Sequence, residues 1–170
     1  MLETEDYVPS TTEGLSCADF CQRYPFTVAA VGLINGAAGE FQFLTMPDGT
    51  GPLVDKPGAR PVLGLDLIRV RKRANNPFAQ WITFGRAQNN DVVINATDMS
   101  KFHAYLIQAP SGAWRLVDAG STNGSYLRGE RLVPRQVYDV ELATSFFLGS
   151  TQVTLLQGPS LYRFLGQLEG

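Results

Sequence analysis

Cysteine and histidine are almost absent from this 170-residue chain, which holds two cysteines, Cys17 and Cys21, and one histidine, His103. So few thiols exclude a disulfide framework. The two cysteines lie four apart in what reads as a helix, where β-carbons sit about 6 Å apart, too far for an unstrained bridge. Cysteine and histidine alone do not supply the four ligands of a tetrahedral metal site. No metal is therefore expected, and both cysteines read as small buried apolar groups. Long hydrophobic runs are also missing. The longest, Phe26 to Ala38, is too short to span a bilayer and is broken by Gly32, Asn35 and Gly36. The first residues carry acids rather than the basic start of a signal peptide, so the expectation is a cytoplasmic protein without a membrane partner. Net charge is only −2, which removes the simplest electrostatic reason to expect nucleic acid as a partner. A glycine-rich phosphate loop carrying lysine is absent, as is a nucleophile elbow around any serine. Neither an enzyme nor a cofactor is indicated.

What charge there is lies unevenly. Residues 1–56 have a net charge of −6 and residues 57–170 a net charge of +4, which suits the latter to an anionic ligand. Residues 1–15 are acidic, rich in Thr and Ser and poor in large apolar groups, and read as a flexible tail. Ser16, with Asp19 three residues on, predicts a helix start, and Pro25 predicts its end after about Arg23. Two β-prone runs, Phe26–Leu33 and Glu40–Met46, flank Asn35-Gly36, a hairpin signal, and Pro47–Pro61 reads as a loop. Residues 16–60 are thus expected to form an extension outside the main domain.

From residue 61 short strands follow at close spacing: Leu65–Arg73, Gln80–Phe84, Asp91–Ile94, His103–Gln108, Ala113–Val117, Ser125–Leu127 and Phe146–Leu156, the last bent at Gly149-Ser150. Many short strands separated by turns predict an all-β, antiparallel β-sandwich over residues 61–158. Residues 159–170 read as a helix, with Leu161, Phe164, Leu165 and Leu168 on one face.

Three loop motifs lie among these strands: Gly85-Arg86, followed by Asn89-Asn90-Asp91; Ser100-Lys101-Phe102-His103; and Ser121-Thr122-Asn123-Gly124. Their order closely resembles the forkhead-associated (FHA) domain family, in which Gly-Arg, Ser-x-x-His and Ser/Thr-x-Asn-Gly follow one another along a β-sandwich. The resemblance covers residues 64–157 and implies a module that binds phosphothreonine peptides in Ser/Thr kinase signalling. It implies that Arg86 and Ser100 hold the phosphate, that Lys101 assists and that Thr122 lies beside the phosphothreonine. Asn123 would bond the ligand backbone, His103 would brace the loop presenting Ser100, and Gly85 and Gly124 would shape the turns. The chemistry agrees, because a phosphate dianion needs directed, charge-assisted donors and arginine supplies a planar fork of them.

Each residue also has a plainer reading. Arg86 can be a solvated loop arginine, Ser100 a turn cap and Asn123 a left-handed turn residue. No folding requirement, however, sets all three on successive loops together. The chain departs from the family at Ala143-Thr144-Ser145, where a Gly-Asp pair is common, and at Arg128, where asparagine is common before Gly129. Arg128 and Arg131 would widen a basic rim. The competing function is an adaptor that keeps the fold but binds partners without phosphate. Thr4, Thr11 and Thr12 mark the chain's own tail as a further ligand, if phosphorylated.

Overall fold

A computed structural model describes residues 7–33 and 66–169. Among these, six strands form one sheet, in the spatial order β2 (Asp66–Arg69), β1 (Val28–Leu33), β11 (Thr151–Leu156), β10 (Ser145–Leu148), β7 (Ser125–Leu127) and β8 (Glu130–Arg131). Five form the other: β4 (Val92–Val93), β3 (Ile82–Gly85), β5 (Ala104–Gln108), β6 (Trp114–Asp118) and β9 (Val137–Val140). Neighbours run antiparallel except β3 and β4, which are parallel. Two helices, α1 (Cys17–Arg23) and α2 (Pro159–Glu169), complete the described chain.

The sandwich core follows from strand alternation. Ala104 and Leu106 of β5, Trp114 and Leu116 of β6, Phe146 and Leu148 of β10, and Val153 and Leu155 of β11 all face between the sheets. Strand β1 is buried on both sides. Ala29 and Val31 enter this core, while Val28 and Ala30 join a second cluster with Phe20, Tyr24, Leu161, Phe164 and Leu165 beneath the helices. Burial on both faces explains why its sequence is an unbroken apolar run rather than an alternating one.

Strand β1 also corrects the expected division of the chain. Residues 28–33 were expected in an extension, yet they pair with β11 from Val28↔Leu156 to Leu33↔Thr151 and with β2 from Val28↔Arg69 to Val31↔Asp66. Both edges of Val28–Val31 are therefore occupied. The expected partner Glu40–Met46, the Asn35-Gly36 turn and the loop to Pro61 lie outside the described residues.

The flexible tail expected over residues 1–15 also needs correcting where it is described, from Tyr7 onward. Thr12 is buried; its amide and hydroxyl donate to the Glu169 carboxylate at 3.0 and 2.6 Å, and Tyr162 donates its hydroxyl to the Leu15 carbonyl at 2.9 Å. The start of α1 is as predicted, with Ser16 accepting from the Asp19 amide at 3.2 Å. Cys17 and Cys21 are free thiols with sulfurs 3.9 Å apart, but they are half-buried rather than buried, because their helix face borders the second cluster without entering it. No helix among the described residues is long and apolar enough to cross a membrane.

Candidate functional site

Strand register gathers four loops at one end of the sandwich. Phe84 pairs with Ala104 and Ala104 with Asp118, so β3 ends where β5 begins and β6 ends. In the other sheet Leu148 pairs with Ser125, so β10 ends where β7 begins. The segments holding Arg86, Ser100, Asn123 and Gly149 all leave the sheets there.

Backbone hydrogen bonds then fasten the loops together. The Arg86 amide donates to the Ser100 carbonyl at 2.9 Å and the Ala87 amide to that of Lys101 at 3.2 Å. Gly85 permits this approach, because a β-carbon there would run into the Lys101 carbonyl oxygen and stand 2.7 Å from Asn90 Nδ2. Asn90, itself buried, reinforces the junction by donating to the carbonyls of Ala87 at 2.8 Å and Lys101 at 2.7 Å. Phe102 stacks against Phe78 and Tyr105 at centroid distances of 5.3 and 6.0 Å, anchoring the loop between Lys101 and His103.

His103 is fully buried, and its amide donates to the Phe84 carbonyl at 2.8 Å. Its Nδ1 accepts the Ser100 amide at 3.1 Å and its Nε2 lies 3.0 Å from the Gly124 carbonyl. A backbone amide can only donate, so the proton resides on Nε2, which donates to Gly124. Burial lowers the imidazole pKa, outweighing the opposing pull of the Gly124 carbonyl and of Asp118 and Asp98. His103 thus ties the Ser100 loop to the Asn123-Gly124 turn as a neutral ring.

Asp118 organises that turn. It accepts from the amides of Gly120 and Ser121 at 2.8 and 2.9 Å, from the Ser121 hydroxyl at 2.6 Å and from the Ser125 hydroxyl. Burial alone would raise its pKa, but these donors outweigh it and hold the carboxyl below the usual carboxylate range. The turn meets the Ser100 loop directly: the Thr122 amide donates to Ser100 Oγ at 3.1 Å and Asn123 Nδ2 donates to the Asp98 carbonyl at 2.9 Å. Asp98 in turn accepts the Ser150 amide at 2.7 Å.

Arg86, Ser100, Thr122 and Asn123 are therefore brought together by the loops that carry them, and Lys101 sits beside Ser100 on the same loop. Arg86 and Lys101 are exposed, and among the described residues neither side chain is held by a carboxylate. Ser100 Oγ uses a lone pair on Thr122, leaving its proton to donate. The Asn123 side-chain amide gives one of its two N–H groups to Asp98, which leaves the second N–H and the carbonyl oxygen for a ligand. Asp118, Asp98 and Asn90 escaped sequence reasoning as site-building residues. Asn90 stands within a quoted motif and Asp118 three residues before another, but a loop aspartate that accepts buried amides looks like a solvated one in sequence. No cluster of residues among those described is arranged to hold a metal ion.

The family model for the FHA domain matches residues 82–145. The chain contains an FHA domain. The matched stretch opens at β3 and closes at the first residue of β10, so β1, β2, β11 and the rest of β10 complete the sandwich from outside it. Among curated relatives, human kanadaptin is 34% identical over 90 residues, a region covering 46% of this chain and 12% of kanadaptin. The oxoglutarate dehydrogenase inhibitor of Corynebacterium glutamicum is 26% identical over 121 residues, covering 68% of this chain and 82% of that protein. This chain thus spans only a small part of kanadaptin but most of the bacterial inhibitor. Among solved structures, the FHA domain of the Chlamydia trachomatis CT664 protein aligns with 76% of this chain and 97% of its own, at 14% identity and a TM-score of 0.47.

Proposed function

We propose that the FHA domain of this chain captures phosphothreonine in partner proteins, so that Ser/Thr kinases control the association, and that the chain binds rather than catalyses. The observation that carries the reading is Arg86, exposed and, among the described residues, held by no carboxylate, at a loop whose backbone is bonded to Ser100. In this reading the Arg86 guanidinium and the Ser100 hydroxyl hold the phosphate oxygens, and Lys101 adds a point charge. Thr122 lies beside the phosphothreonine, while Asn123 bonds the ligand backbone with both its side-chain carbonyl and its remaining amide N–H. Gly85, His103 and Gly124 keep the loops in place and touch no ligand. A phosphorylated tail of the chain itself is a further ligand of the same chemistry. Thr11, exposed, suits that role better than Thr12, which is buried against Glu169.

A phosphothreonine peptide library, read by fluorescence anisotropy against wild type and Arg86→Ala, tests the proposal. Wild type is expected to bind phosphorylated peptides and not their unmodified forms. Arg86→Ala is expected to lose about 2–5 kcal/mol, enough to erase micromolar binding. Partner capture that survives both phosphatase treatment and Arg86→Ala would instead assign a phosphate-independent adaptor.

A further inference from the structure

We propose that Arg131 forms a second anion-binding position beside the phosphothreonine site and selects ligands that carry an additional carboxylate or phosphate; this rests on the phosphothreonine reading above. Strand β8 folds back along β7, pairing Arg131 with Tyr126, and the Leu132 amide donates to the Ser125 carbonyl at 2.8 Å. Arg131 therefore returns to the end of β7 where the Asn123-Gly124 turn lies. Gly124, at φ +83°, leaves room for it: a β-carbon there would stand 2.7 Å from Arg131 Nε, 3.0 Å from Cζ and 3.2 Å from one terminal nitrogen. The guanidinium thus lies over Gly124, next in sequence to Asn123.

Arg131 is exposed, and among the described residues no carboxylate pairs with it. Glu130 precedes it, but successive residues of a strand point to opposite faces. Asp98, the acid bonded to this turn, directs its carboxylate at the Ser150 amide. A planar fork of donors without a carboxylate partner among the described residues, beside the residue assigned to hold the ligand backbone, suits bidentate capture of a second anion on the same peptide.

The geometry separates Arg131 from Arg128, although the sequence groups them. Arg128 sits in the turn beyond the far end of β7, so a three-residue strand, about 10 Å, lies between it and the site. It serves as the control for general charge.

The test scans aspartate, and separately a second phosphothreonine, through positions flanking the phosphothreonine of an otherwise alanine-flanked peptide. Binding is measured for wild type, Arg131→Gln, Arg131→Lys and Arg128→Gln. Wild type is expected to gain about two- to fivefold at one flanking position. Arg131→Gln should lose that gain while binding the alanine-flanked phosphopeptide within about twofold of wild type. Arg131→Lys should keep part of the gain and Arg128→Gln all of it. Gain from aspartate assigns a carboxylate as the second anion; gain from phosphothreonine alone assigns a doubly phosphorylated ligand. A gain that survives Arg131→Gln, or falls equally in Arg128→Gln, overturns the proposal. So does the absence of any gain in wild type while the alanine-flanked phosphopeptide binds in an Arg86-dependent way. If no phosphopeptide binds at all, the phosphothreonine reading itself has failed.

Discussion

His103 accepts through Nδ1 and donates through Nε2, and only the neutral ring with its proton on Nε2 does both. Protonation would set an Nδ1 hydrogen against the Ser100 amide hydrogen. Burial lowers its pKa from 6.5, so the folded state resists a proton that the unfolded chain accepts near that pH. The stability this neutrality contributes is therefore complete above pH 6.5 and declines as pH falls below it. Asp118, whose pKa is also depressed, loses its contribution only below its ordinary value of 3.8, in a separate window. Urea midpoints at pH 7.5 and 5.5 should fall with acid in wild type, and the fall should shrink in His103→Gln. An unchanged pH dependence in that variant would remove His103 as its source. Two other residues mark where this chain departs from common FHA turns: Arg128 at φ +52° and Ala143 at φ +64°. The left-handed turns remain although neither residue is glycine or asparagine, at a cost of roughly 1–2 kcal/mol each.

Among the loops and strands, the site depends on how closely the Arg86 and Lys101 segments approach. Gly85→Ala would drive a methyl into the Lys101 carbonyl, and that carbonyl is fixed by the Ala87 amide and by Asn90. The variant is expected to lose about 1–3 kcal/mol in chemical denaturation and to weaken phosphopeptide binding. Wild-type stability and affinity would show that the loops have slack that this packing denies. Strands β5, β6 and β7 were legible as short β-prone runs set apart by turns such as Ser111-Gly112 and Asn123-Gly124. Strands β8 and β9 were not. Glu130–Arg131 is exposed throughout and Val137–Val140 buries only Val140 fully, so neither leaves an apolar trace. Arg86, Ser100 and Asn123 were legible through motif order. Asp98 and Asp118 were not, because their work is accepting backbone amides from residues that only the fold brings near.

For the whole molecule, β1 is the element whose place was hidden. Its sequence announces a strand, yet its partners are β2 and β11, and local periodicity carries no record of a neighbour so far along the chain. A fragment beginning at residue 61, which retains all three loop motifs, lacks this strand. It would expose the edge of β11 together with Ala29 and Val31 contacts of the main core. That fragment is expected to show no cooperative thermal transition by circular dichroism, whereas the full chain shows one. A sharp melt in the fragment would mean that β1 is dispensable.

The same pairing has a consequence during synthesis. Val28–Leu33 emerges from the ribosome long before Thr151–Leu156 exists. At roughly 5–20 residues per second the wait is on the order of 6–24 seconds. Throughout it, a wholly apolar ribbon bound for the sandwich interior has no permanent neighbour on one side. A nascent chain of this design carries that strand with its β11 edge open for the whole interval.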